Sequence, residues 1–105
     1  MQPRLAAVAR QLQLIEQELR RQALWSEASP APEALVSRQP FCVDSLAFEQ
    51  WLQWVLLPRL RQLIDSGAEL PRGSGIRAMA EQVFAGRLAA LVERLGELDA
   101  LLSAD

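Results

Sequence analysis

The chain has 105 residues, half of them apolar, and 11 basic against 13 acidic side chains give a formal charge of −2. That length suits one domain, residues 1–105, with one core, and mixed charge without a basic block argues against autonomous binding of DNA or RNA. His, Lys, Tyr, Thr and Asn are absent, which excludes an imidazole base, a Schiff-base or P-loop lysine and a tyrosine acid.

Cys42 is the single cysteine, so no internal disulfide can form and a zinc site would lack soft ligands. It reads as a small buried apolar side chain. No cofactor and no metal are expected. Leu (19) and Ala (16) far outnumber Val plus Ile (9), and that mix favours helix over strand.

The first element is expected over residues 3–25. Pro3 suits a first helical turn, and Leu5, Val8, Leu12, Ile15 and Leu19 repeat at 3-4-3-4 spacing, which makes one apolar seam. The seam is too short for a long coiled coil and reads as one core-facing helix. The start carries Arg4 and Arg10 and no long apolar core, unlike a signal peptide. No apolar run is long enough to span a membrane. A cytoplasmic location is expected.

Residues 26–45 read as a connector, because Pro30, Pro32 and Pro40 push their predecessors towards extended shapes. Leu35, Val36, Phe41 and Val43 suggest that its second half packs down, with Ser26 to Glu33 looser.

The second helix is expected over 47–66, with Asp44 and Ser45 as acceptors near its start and Gly67 just past its end. On a straight helix, Phe48, Trp51, Leu52, Val55 and Leu56 form one stripe. Leu60, Leu63 and Ile64 form another, rotated by roughly 100°. Pro58 lies between them. Its ring collides with the carbonyl of Trp54 and it lacks the N–H that this carbonyl needs, at a cost of about 3 kcal/mol in an uninterrupted helix. A kink at Pro58 would re-aim the second half so that both stripes are buried. Trp54 and Leu57 lie on the flank of the first stripe. Either the connector folds back and Phe41 or Val43 covers them, or they form an exposed apolar patch for a partner.

After the turn-rich segment AELPRGSG, a third helix is expected over 76–84, with Ser74 as a cap and Ile76, Met79, Ala80 and Val83 or Phe84 on its apolar face. A fourth over 87–102 places Leu88, Leu91, Leu95, Leu98 and Leu102 at 3-4-3-4 spacing. No strand signal and no internal repeat is evident. The expected fold is all-α: a small four-helix bundle with a long proline-containing connector between helices 1 and 2 and a Pro-kinked central helix.

Within QPFCVDSLAFEQWLQWVLLPRL, the elements Gln39-Pro40-Phe41, Asp44-Ser45, Trp51-Leu52-Gln53-Trp54 and Pro58-Arg59 resemble the bacterial YqcC-like family, small proteins of uncharacterised function. The later ELP and ELDALL also fit, so the resemblance covers most of the chain, though only the central block is specific. Family members often have Pro at the position of Phe48 and a bulky apolar residue at that of Cys42. The resemblance implies an all-α bundle and an association with tRNA pseudouridine synthase C, whose name the family's domain label borrows. Such a synthase needs a catalytic aspartate in a much larger mixed-sheet fold, and Asp44 is not assigned that role.

The leading functional expectation is a non-enzymatic interaction module whose partner is the synthase or its RNA complex. Trp54, Arg59, Gln53 and Asp44 are the candidate contact residues. One alternative is RNA contact through Arg10, Arg20, Arg21, Arg59 and Arg61, which would weaken steeply with salt. The other is an enzyme using two of Glu49, Asp44, Glu81 and Glu93, which would have to converge with shifted pKa values. No spacing compels such a pair. The sequence gives no signal of oligomeric state.

Overall fold

The computed structural model describes residues 3–36, 39, 41, 46–72 and 75–103. Four helices account for most of them: α1 (Pro3–Arg21), α2 (residues 48–66), α3 (Ile76–Phe84) and α4 (Ala89–Ser103). A 3-10 turn, Pro32–Val36, interrupts the connector. No strand occurs among the described residues.

The two leucine-rich seams meet as their spacing requires. Val8, Leu12, Ile15 and Leu19 of α1 are buried, as are Leu91, Leu95, Leu98 and Leu102 of α4, and the two helices pack together, with α3 against α4. On α3 the core positions are Ile76, Ala80 and Phe84, while Val83 faces out. The Arg4 guanidinium, on the first turn of α1, donates to the carbonyls of Leu101 and Leu102 at 3.1 and 2.8 Å. These are final-turn carbonyls with no partner inside α4. Gln11, buried on α1, donates to the carbonyl of Arg94 at 2.8 Å.

Four helix ends differ from expectation: the last helix runs one residue further, to Ser103, and the other three differ for local reasons. The first helix stops at Arg21 rather than residue 25. Ala23 takes the left-handed conformation, φ 60°. The Ala23 N–H then reaches the Arg20 carbonyl and the Leu24 N–H the Leu19 carbonyl, at 3.1 and 2.9 Å. That pair of bonds is a Schellman closure with alanine where glycine is usual. The fourth helix starts at Ala89 rather than 87, because Leu88 is also left-handed, φ 58°. The second helix starts at Phe48, one residue later than expected. The N–H of Ala47 donates to Gln50 Oε1 at 2.9 Å, a reach-back contact from the third helical position. Asp44, Ser45 and Ser74, expected as caps, lie outside the described residues, as do Cys42 and Val43.

The re-aiming expected of a kink at Pro58 is carried by residues 52–56. There the helix widens into a π-turn, Leu52–Leu56, and the Leu57 N–H bonds the Leu52 carbonyl, five residues back instead of four. A π-turn takes up one residue more than an α-turn. One residue is about 100° of helical phase, the offset between the two stripes. With that slip, Phe48, Leu52, Leu56, Leu57, Leu60 and Ile64 all reach the core. Leu57, left on a flank by a straight projection, is 0% exposed. Pro58 sits in the first turn of the α-helical segment that follows, Leu57–Ser66.

Candidate partner-contact site

The π-turn also sets out the side chains singled out by the sequence. Gln53 and Trp54 are consecutive within it, and Arg59 follows on the next segment. Asp44 lies outside the described residues.

Gln53 is 5% exposed. Its Oε1 accepts from the Ser26 N–H at 2.8 Å, and its Nε2 donates to the Ser26 carbonyl at 2.6 Å. The amide therefore pairs with the connector as one peptide group pairs with another. Two neutral hydrogen bonds contribute about 0.5–1.5 kcal/mol each. Both ends of the Gln53 side chain are thus engaged inside the chain.

Trp54 is half-buried, and its indole Nε1 is shut off from solvent with no acceptor among the described residues. An unpaired buried donor costs about 1–3 kcal/mol. That cost is comparable to what the neighbouring Gln53 pair contributes. Phe41 does fold back onto α2, but its edge-to-face contacts are with Trp51 at 4.9 Å and Phe48 at 6.1 Å. Trp51 stacks on Phe48 at 5.8 Å, closing a small aromatic group beside the core. Val36, at the end of the 3-10 turn, is 75% exposed.

Arg59 is exposed and makes no ion pair among the described residues. Of the other arginines named for RNA contact, Arg10 is exposed with no ion pair among the described residues, and Arg20, Arg21 and Arg61 are engaged with carboxylates. Glu16 accepts from Arg61 at 2.7 Å and from Arg20 at 3.0 Å, and Glu18 pairs with Arg21 at 2.9 Å. The Arg20 guanidinium also lies 4.5 Å from the Trp25 ring centre, a cation–π contact. Partial burial pushes the Glu16 carboxyl up. The hydrogen bonds and charges of Arg61 and Arg20 together outweigh it and hold Glu16 below the usual carboxylate range. Hydrogen bonds from Arg21 and Gln22 lower Glu18 likewise, against its burial.

Two of the carboxylates considered for acid–base work, Glu81 and Glu93, line one surface cleft of about 580 Å³ with Arg77 and Arg87. Glu81 is held there by Arg77 at 2.9 Å. No group of His, Cys, Asp and Glu among the described residues could hold a metal ion, and no described helix is long and apolar enough to cross a membrane. Ser26 was not singled out from the sequence. It acts through its backbone, which leaves no side-chain signal.

The family model DUF446, described as tRNA pseudouridine synthase C, matches residues 7–101. An uncharacterized protein from Haemophilus influenzae is 42% identical over 74 residues, 70% of this chain and 67% of that protein. The uncharacterized protein YqcC from Escherichia coli is 36% identical over 98 residues, 90% of each chain. The solution NMR structure of E. coli YqcC superposes with a TM-score of 0.86 at 34% identity, covering 99% of this chain and 92% of that one. A protein named tRNA pseudouridine synthase C from Pectobacterium carotovorum is 47% identical over 58 residues, 55% of this chain but 15% of that protein.

Proposed function

The chain belongs to the DUF446, YqcC-like family, and on that premise we propose that it is a non-enzymatic interaction module of the cytoplasm, accessory to tRNA pseudouridine synthase C. The observation that supports this most is the Pectobacterium protein. There a stretch of this domain shares one polypeptide with whatever fills the other 85% of a protein carrying the synthase name. Two units joined covalently meet at an effective concentration on the order of millimolar for a short linker. As separate chains they need an interface to stay together. A half-buried Trp54 and an exposed Arg59, without an ion pair among the described residues, lie on the same helix and are the residue types that anchor such interfaces.

A carboxylate enzyme is the second reading, favoured by Glu81 and Glu93 lining one cleft. The tie between Glu81 and Arg77 at 2.9 Å weighs against it, because that carboxylate is already engaged by a guanidinium rather than facing Glu93.

Titrating the purified protein against purified tRNA pseudouridine synthase C from the same genome tests the proposal. Binding in the micromolar range is expected. Trp54→Ala should weaken it by about tenfold or more, as loss of an interface anchor does. No association at about 100 μM protein, or an affinity indifferent to Trp54→Ala and Arg59→Ala together, would overturn it.

A further inference from the structure

Four arginines find their counter-charge within their own helix. Arg20 pairs with Glu16 and Arg21 with Glu18 on α1, Arg77 with Glu81 on α3 and Arg94 with Glu97 on α4, each three or four residues apart at 2.9–3.3 Å. Arg59 on α2 has no such neighbour. The residues three and four positions away are Val55, Leu56, Gln62 and Leu63, and α2 carries no Asp or Glu between Glu49 and Asp65. Val55 and Leu63 are half-buried. The Glu16 carboxylate that crosses from α1 is taken by Arg61 at 2.7 Å. Arg59 therefore stands exposed on an apolar stretch of α2, without an ion pair among the described residues.

We propose that the face of tRNA pseudouridine synthase C that covers Trp54 sets an Asp or Glu carboxylate against Arg59. This contact rests on the interaction reading above and names the group that the partner brings. Five residues put Trp54 and Arg59 about 8 Å apart along the helix axis. A standard interface buries about 800 Å² on each partner, so a partner seated on Trp54 also takes water from Arg59. A guanidinium that loses water without gaining a counter-ion is costly. None is at hand on α2, so the partner supplies it. A carboxylate suits the site better than a nucleic-acid phosphate. Holding a polyanion takes several free cations, and Arg20, Arg21 and Arg61, which would have to join Arg59, are engaged by Glu16 and Glu18.

The absence of lysine from the chain allows a direct test. Arg59→Lys keeps the charge and installs a single side-chain amine, which a carbodiimide joins to a carboxylate touching it. With purified synthase, Arg59→Lys should cross-link through residue 59 to an Asp or Glu of the partner, located by mass spectrometry. Arg10→Lys, at an exposed arginine of α1 that also lacks an ion pair among the described residues, should not. Arg59→Glu should weaken binding by about tenfold or more, and Arg10→Glu, which changes the net charge equally, by less than about threefold. An Arg59→Glu protein that binds as well as Arg10→Glu would overturn the contact and leave the interaction standing. So would an Arg59→Lys protein that binds the synthase and cross-links no more than Arg10→Lys. Binding of free tRNA that is lost in Arg59→Glu would overturn it in favour of phosphate. No binding of the synthase by the wild type would remove the interaction reading, and this contact with it.

Discussion

Asp99, on α4, supplies the cap of α3: its carboxylate accepts from the Arg77 N–H at 2.8 Å, and from the adjoining Ile76 N–H at 3.2 Å. Gly75 precedes α3 in the left-handed conformation and has no side chain to offer. Two of the orphan donors of the first turn are therefore satisfied from 22 and 23 residues away in the chain. The same contact places a negative charge at the positive end of the helix. It joins α3 to α4 as well as stabilising α3.

Asp99→Ala should cost about 1–2 kcal/mol, the upper half of the range for losing an N-terminal capping side chain. Asp99→Asn, which keeps one acceptor, should cost roughly half as much. Urea unfolding gives both values. The amides of α3 should lose more exchange protection than those of α1 in either variant. A loss under about 0.3 kcal/mol for Asp99→Ala would show that water replaces the carboxylate without penalty.

Glu16 ties α1 to α2 through Arg61 and, like Glu18, contributes a pH-dependent share of stability. Its folded pKa is lowered, so its contribution is fully present above the unfolded value, about 4.3. It is lost as pH falls through the folded value. Glu16→Gln should therefore destabilise the protein at pH 7, and the gap between the two proteins should shrink as pH falls through the folded value. The size at pH 7 should be about 0.5–1 kcal/mol, since Glu16 and Arg61 keep 25% and 39% of their side-chain surface exposed and water screens the pair. Urea midpoints of the two proteins at about pH 3 and at pH 7 measure it. An equal gap at both would assign the loss to packing.

The seams of α1 and α4 were legible because burial imposes a spacing and the spacing survives in Val8, Leu12, Ile15 and Leu19 and in Leu91, Leu95, Leu98 and Leu102. The end of α1 was not. Ala23 pays a steric cost to take a left-handed conformation, and composition carries no sign of it. The sequence points to a cap for α3 in its own flanking residue Ser74, whereas Asp99 comes from the next helix. At the candidate site, Trp54 and Gln53 stood out by type. What Gln53 pairs with did not, because any backbone can offer what Ser26 offers. The phase conflict in α2 was visible as two stripes out of register. Whether a kink or a π-turn resolves it depends on core packing, which no local pattern encodes.

If the proline alone forced the π-turn, Pro58→Ala would let α2 relax to an uninterrupted α-helix. The gain would be about one backbone hydrogen bond, roughly 0.5–1.5 kcal/mol. The relaxation would also rotate Leu60 and Ile64 by about 100° out of the core. Exposing two such side chains costs about 1.5–3 kcal/mol each. Packing wins, so Pro58→Ala should keep the π-turn and change stability by less than about 1 kcal/mol. Deleting Val55 in the Pro58→Ala background removes both the extra residue and the imino acid. It should yield a continuous α-helix with Phe48, Leu52, Leu60 and Ile64 still on one stripe. Backbone chemical shifts and urea unfolding distinguish these states. A Pro58→Ala protein that is α-helical throughout and as stable as the wild type would show that the proline, and not the phase of the core, sets the turn.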